Sequence, residues 1–226
     1  MPTPSLSAKP ALTDRPKVIY LDAFGTLFGV KGSVGEIYSN LALRVGVSTN
    51  AQAVNRAFYQ SFAAAERMAF PGVEPDAIPA LEYRWWKDVV SETFDRVGAL
   101  EKFSDFDQFY GDLYGYFETP APWRVYPDTL PSLTRWQSMN IELGIISNFD
   151  SRLHRVLDVL GLSAYFQTVT LSTEVGVAKP DAKIFQVALA KHSCAANQAW
   201  HIGDSEAEDY AGAKTVGMRA ILVARD

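Results

Sequence analysis

The sequence is poor in several features that would otherwise direct its reading. One cysteine, Cys194, stands among 226 residues. No internal disulfide can form, so the fold does not depend on an oxidising compartment, and a cytoplasmic location is expected. Cys194 sits in the polar stretch KHSCAANQ, with neither a glycine-rich elbow nor a recognisable base arrangement around it, and reads as structural. No apolar run approaches the roughly 18 to 20 residues needed to cross a bilayer. The opening MPTPSLSAKPALTDRP lacks the apolar centre of a signal peptide and has a single arginine, so residues 1–16 read as a flexible tail. Basic residues are in the minority: 21 Lys and Arg against 26 Asp and Glu give a net charge of -5. That balance favours solubility and excludes a general attraction to nucleic acid or an anionic membrane. The three histidines, His154, His192 and His201, show no metal-ligand spacing, and His201 reads as a core or edge residue.

What is present is a well-punctuated apolar pattern. Hydrophobic residues make up 48% of the chain, enough for a substantial core. KVIYLD (17–22), IELGIIS (141–147), FQTVTLS (166–172), QAWHIGD (198–204) and MRAILVA (218–224) read as five buried strands. Helical patterns at 128–139, 151–160, 181–192 and 206–216 separate the later ones. Strand-helix alternation predicts an α/β protein, a Rossmann-like parallel five-stranded sheet flanked by helices. Residues 32–118 break the rhythm with four helical patterns, over 35–47, 50–70, 79–99 and 103–118, expected to form an inserted four-helix bundle. TPAPWRVYP (119–127), with three prolines, reads as the return linker. The expected division is therefore a tail over 1–16, an α/β core over 17–31 and 119–226, and a helical cap over 32–118.

Ligands of such sheets sit at the carboxyl ends of the strands, where Asp22, Ser147 and Asp204 fall. A strand-end carboxylate such as Asp22 can attack phosphorus and form an aspartyl-phosphate, dividing hydrolysis into two easier steps. Asp204 and Asp209 bring further hard oxygens, which together with phosphate chemistry imply Mg2+. Ser147 and Asn148 offer a hydroxyl, an amide and turn amides to phosphate oxygens, although a Ser-Asn turn with Asp150 capping the next helix explains them equally. Lys179 is held ahead of Pro180 and a helix start, so its ammonium can serve both catalysis and phosphate binding. Glu206 and Glu208 read as solvated acids of a first helical turn, which is also the plain reading of Asp209. Trp85 and Trp86 could close over the pocket. Neighbours on a helix point about 100° apart, so at most one is expected to face it, with core packing the default for each.

DAFGTL, IISN, AKPDAKIF and GDSEAED occur in the order and spacing of the four motifs of the haloacid-dehalogenase-like hydrolase superfamily, which the chain resembles from residue 17 onward. GEIYSNLALRVGV, YRWWKDVVSETF and SNFDSRL resemble its rhythmically-expressed-gene-2-like branch, with a helical C1-type cap. The resemblance implies that Asp22, the main-chain carbonyl of Phe24 and Asp204 bind Mg2+, with Asp209 ordering the loop or approaching the metal, and that Thr26 joins Ser147, Asn148 and Lys179 around phosphate. It implies a small phosphorylated substrate, and a phosphoric monoester hydrolase.

Phe24 departs from that pattern. Phosphatases of the superfamily typically carry a second aspartate two positions after the nucleophile, which protonates the leaving oxygen and then activates water; a phenyl ring does neither. General acid-base catalysis contributes about 10² to 10⁴ in rate, so a slow or substrate-restricted phosphatase is expected. Two alternatives stay open. An aromatic here also resembles metal-independent 2-haloacid dehalogenases, whose fourth motif carries serine and asparagine where this chain keeps Asp204 and Asp209. A fold retained for binding or assembly, with a vestigial site and a protein partner, is the other.

Overall fold

The computed structural model describes residues 15–225, so nearly all of the tail expected over 1–16 lies outside the described residues. The chain enters β1 (Val18–Leu21), whose four residues are all buried. This strand is the centre of a five-stranded parallel sheet. With β4 (Glu142–Ser147), β5 (Thr168–Leu171), β6 (Ala199–Gly203) and β7 (Arg219–Leu222), the order is β5-β4-β1-β6-β7. Ile19 and Leu21 face one core, with Leu143, Ile145 and Leu153; Val18 and Tyr20 face the other, with Ile146, Phe185 and Met218. Alternate side chains thus serve opposite faces, which is why a strand buried on both sides is read from a continuous apolar run.

The five strands form where the apolar runs predict them, each trimmed by one to three residues. Between them lie α5 (Thr129–Ser138), α6 (Arg152–Val159), the short α7 (Ser172–Val175), α8 (Ala182–Lys191) and α9 (Gly212–Thr215). Asp181 starts α8 by accepting the Lys183 amide at 2.8 Å, satisfying one of the orphan donors of the first turn.

A second, short strand was not legible. β2 (Phe28–Val30) pairs antiparallel with β3 (Trp123–Val125) inside the segment expected to be a plain return linker. Between these two strands come α1 (Val34–Arg44), α2 (Ala51–Ala64), α3 (Ile78–Arg96) and α4 (Phe106–Tyr116). They share a third core around Tyr38, Val54, Phe94 and Phe109. A capping box opens α1: Ser33 accepts the Glu36 amide at 3.2 Å while Glu36 accepts the Ser33 amide at 2.8 Å. The expected helix over 50–70 ends early, at Ala64. The chain extends at Ala65 to run back to the sheet, where the Met68 carbonyl accepts the Ser172 hydroxyl at 2.8 Å.

The inserted helices also hold the sheet's loops through buried polar groups. Glu82 on α3 is fully buried and accepts the Ser151 amide at 2.8 Å and the Ser151 hydroxyl. Asp150, equally buried, accepts Trp86 Nε1 at 2.7 Å and a fork from Arg152, whose guanidinium lies 3.6 Å from the centre of the Tyr114 ring. Asp150 also accepts the Arg152 amide at 2.9 Å, so the expected cap is made and tied to the insertion as well. Among the described residues, no helix is long and apolar enough to cross a membrane.

Candidate active site

Parallel register places the ends of β1, β4 and β6 side by side: Leu21 is level with Ile145 and Ile202. The next turns of chain therefore carry Asp22, Ser147 and Asp204 to one edge. Asp22 is 6% exposed, and its Oδ1 accepts the Ser147 hydroxyl at 2.9 Å and Lys179 Nζ at 2.6 Å. Lys179 is 1% exposed and donates a second bond, also of 2.6 Å, to Asp209 Oδ1. Glycines make the turns fit. Gly25 has φ +84, and a Cβ there would lie 2.3 Å from Asp204 Oδ2; at Gly203 it would lie 2.1 Å from Asp209 Cγ. Neither position accepts a side chain without displacing a carboxylate.

The segment expected to be a helix over 206–216 instead begins as a π-helical turn, Glu206–Ala211, before α9. The wide turn carries Asp209 back under β6, where its Oδ2 accepts the Ser205 amide at 3.1 Å and its Oδ1 accepts His201 Nε2 at 2.7 Å. Asp209 is thus not a solvated helix-start charge. His201 is a core residue as expected, fully buried and edge-on to Phe185, and it bonds Asp209 from there. Glu208, expected in solvent, is half-buried and accepts the Asn148 amide at 2.9 Å; Glu206 is exposed as expected.

Asn148 braces the lysine. It accepts the Lys179 amide at 2.7 Å and donates to the Lys179 carbonyl at 3.1 Å. Arg67, from the segment after α2, donates to that same carbonyl at 2.7 Å. This contact was invisible in the sequence, since 112 residues separate the partners. Thr26 is buried, does not border the cavity described below, and has its hydroxyl 3.5 Å from Asp204 Oδ1.

The electrostatics show a deficit of positive charge. Burial is the largest influence on Asp22 and pushes its carboxyl up, with Asp209 adding to it and Lys179 opposing. Asp204 is exposed, unlike the other two acids, yet partial desolvation and the charges of Asp22 and Asp209 drive its carboxyl up to about 6. Burial disfavours charge on Asp209 too, yet the bonds from His201 and Lys179 outweigh it and hold this carboxyl well below the usual range. Burial pushes His201 down, which keeps it a neutral donor, while Asp22 and Asp209 overcome burial at Lys179 and keep it charged. Asp22, Asp204 and Asp209 bring ligand oxygens within 4.8 Å of one another. An all-oxygen, net-anionic cluster fits a hard divalent cation such as Mg2+. Asp209 has both oxygens engaged, leaving Asp22 and Asp204 the more available donors.

Above the acids lies a cavity of about 580 Å³, roofed by the inserted helices. Phe24 borders it, 38% exposed, with its ring edge-on to Trp123 at 6.2 Å. Both Trp85 and Trp86 border it as well, against the expectation of one at most. The two indoles meet edge to face, at 87° with centroids 4.9 Å apart, so the pair presents one continuous aromatic surface. Each also packs on the helical core, as the default reading had it.

This fold and site define a hydrolase class. The family model of haloacid dehalogenase-like hydrolases matches residues 16–217, and the chain belongs to that family. Its relatives include the mouse haloacid dehalogenase-like hydrolase domain-containing protein 3, 34% identical over 208 residues, 92% of this chain and 82% of that one. The Rhythmically expressed gene 2 protein of Drosophila melanogaster is 27% identical over 215 residues, 92% of this chain and 82% of that one, which supports the expected branch. Among solved structures, the L-2-haloacid dehalogenase of Xanthobacter autotrophicus has a TM-score of 0.68 at 18% identity, over 93% of this chain and 78% of that one. At that identity the likeness is one of fold.

Proposed function

We propose that this chain is a magnesium-dependent phosphatase that acts through an aspartyl-phosphate on a small phosphorylated metabolite, with residues 32–118 as its cap, and that Phe24 makes it slow or restricted in substrate. The carrying observation is the composition of the cluster: Asp22 and Asp209 share the single Lys179 ammonium while Asp204 brings a third carboxylate within 4.8 Å, so acids outnumber the cation three to one. Bound Mg2+, held by Asp22, the Phe24 carbonyl and Asp204, would offset the remaining charge and that of a phosphate.

The chain's own residues divide the work. Lys179 and Ser147 fix the Asp22 carboxylate, and Asn148 with Arg67 fixes the Lys179 backbone. An Asp22 oxygen attacks phosphorus while the ester P–O bond breaks, and the leaving oxygen takes its proton from water, since Phe24 has none to give. Water then attacks the phosphorus of the aspartyl-phosphate, and inorganic phosphate departs with Asp22 restored.

Phe24 itself favours a second reading, a metal-independent 2-haloacid dehalogenase, because departing halide needs no proton. Asp204 and Asp209 count against it, since attack on carbon uses neither. Purified protein should turn over an activated aryl phosphate and members of a phosphorylated-metabolite panel, dependent on Asp22 and on added Mg2+. Halide release from a 2-haloacid without metal would establish the dehalogenase. No Asp22-dependent turnover of any substrate would leave a binding or assembly protein with a vestigial site.

A further inference from the structure

The cavity wall differs in character from the acid cluster below it. The part supplied by the inserted helices, among the described residues, includes Tyr38, Phe58, Phe62, Trp85, Trp86 and Tyr114 but no Ser, Thr, Asn, Gln or His. Its indole donors are already engaged: Trp85 Nε1 bonds the Glu66 carbonyl at 2.8 Å and Trp86 Nε1 bonds Asp150 at 2.7 Å. Tyr110 likewise spends its hydroxyl on the Tyr83 carbonyl at 2.6 Å. Ring edges and faces therefore make up most of what these residues turn to a ligand, with the Tyr38, Tyr59 and Tyr114 hydroxyls and the Glu66 and Arg67 side chains as the polar groups of this part of the wall. Phe62 is 43% exposed, stacked on Trp86 at 5.8 Å and edge-on to Trp85 at 5.8 Å. A polyhydroxylated leaving group finds only these few polar groups among the rings, whereas a flat ring gains offset-stacked and edge-to-face contacts with the larger part of the wall.

The leaving-group chemistry at Phe24 points the same way from an independent observation. An alkoxide leaving without a proton is about as basic as hydroxide, the anion of water with its pKa near 15.7, while a phenolate resembles ionised tyrosine, pKa about 10. We infer that the cavity takes a phosphate monoester of an aromatic alcohol, a phenol or naphthol class of ester, with its ring against Phe24, Phe62 and the two tryptophans and its phosphorus over Asp22. This rests on the phosphatase reading and narrows it. Asp22 forms the bond to phosphorus, the aryl oxygen departs with the P–O electron pair, and the aryl oxide is protonated by water.

The test measures steady-state hydrolysis by the whole chain with Mg2+. The substrates are acetyl phosphate, phenyl phosphate, 1-naphthyl phosphate and a hexose phosphate. The expected kcat/KM for 1-naphthyl phosphate exceeds that for the hexose ester by about 10²-fold or more, the assistance that Phe24 cannot give to an alkoxide. Naphthyl phosphate is also expected to surpass phenyl phosphate through KM. Phe62→Ala should cut that naphthyl-to-phenyl preference by about 3- to 10-fold, with Phe62→Leu falling between. Hexose phosphate turned over as well as naphthyl phosphate, or an unchanged preference in Phe62→Ala with native circular dichroism, overturns the aromatic assignment alone. No Asp22-dependent turnover even of acetyl phosphate, whose leaving group needs no proton, overturns the phosphatase reading with it.

Discussion

Replacing Lys179 by methionine removes the cation that lies between Asp22 and Asp209 while keeping a long apolar stem in place. The ammonium touches both carboxylates at 2.6 Å and is shielded from water. Without it, two charges within 4.8 Å of each other repel by about 3 kcal/mol or more at an effective dielectric of 20. Breaking one partner of a buried pair costs about 3–5 kcal/mol by the general measure, so the two routes agree. For a domain of this size, each kcal/mol shifts the melting temperature by roughly 2–4 °C, which predicts a loss of roughly 6–20 °C at pH 7. The assay is thermal unfolding of both proteins by circular dichroism, from pH 5 to pH 8. In the variant the two carboxyls are raised above their unfolded values near 3.9. The folded state then binds more protons than the unfolded one, and stability rises as pH falls. The gap to the parent protein should accordingly narrow toward pH 5. A loss below about 1 kcal/mol, or a gap that widens on acidification, would refute the picture of an ammonium holding two carboxylates together.

Added Mg2+ should raise the melting temperature of the parent protein more at pH 7 than at pH 5, because Asp204, with its carboxyl up to about 6, takes on protons across that interval and competes with the cation; Asp204→Asn should abolish most of the response in the same thermal scans. Phe24→Asp should raise phosphatase kcat by about 10² to 10⁴ on an alkyl phosphate, and no gain in a folded variant that still responds to Mg2+ would show that the absent acid does not limit the rate. Trp86→Phe deprives the buried Asp150 of one donor, and urea unfolding should register a loss of about 1.5–3 kcal/mol, the cost of a hydrogen bond to a charged group.

The sheet was legible because a parallel strand covered on both faces must be apolar throughout, and the acids at its edge were legible as the points where apolar runs stop. Asp22 and Asp204 needed nothing more. Lys179 is a lone lysine to any pattern of hydrophobicity, and only the motif around it marks it. The β2–β3 pair escaped because three-residue strands almost a hundred residues apart leave no period to detect. The π-turn escaped for a different reason: its residues suit an α-helix, and the bonds that widen it come from His201 and Lys179, on distant parts of the chain. Arg67, Glu82 and Glu208 look like surface charges in the sequence, since their partners Lys179, Ser151 and Asn148 are supplied by tertiary contact. Trp85 and Trp86 defied a rule about backbone direction because indoles are broad enough to reach the same space from different angles.

The two-stranded ribbon of β2 and β3 gives the roof of the cavity a strap instead of two loose cords. Its strands, Phe28–Val30 leading out and Trp123–Val125 leading back, are bonded to each other. Such a strap resists sliding in its own plane and yields by bending across it. Phe24 is bridged to Phe28 and rests against Trp123, so it sits where the strap meets the sheet. The opposite side of the roof is tied down as well, by Trp86 on Asp150, Glu82 on Ser151 and Arg67 on the Lys179 carbonyl, so the cavity is clamped from both ends and its width is set by the rings between them.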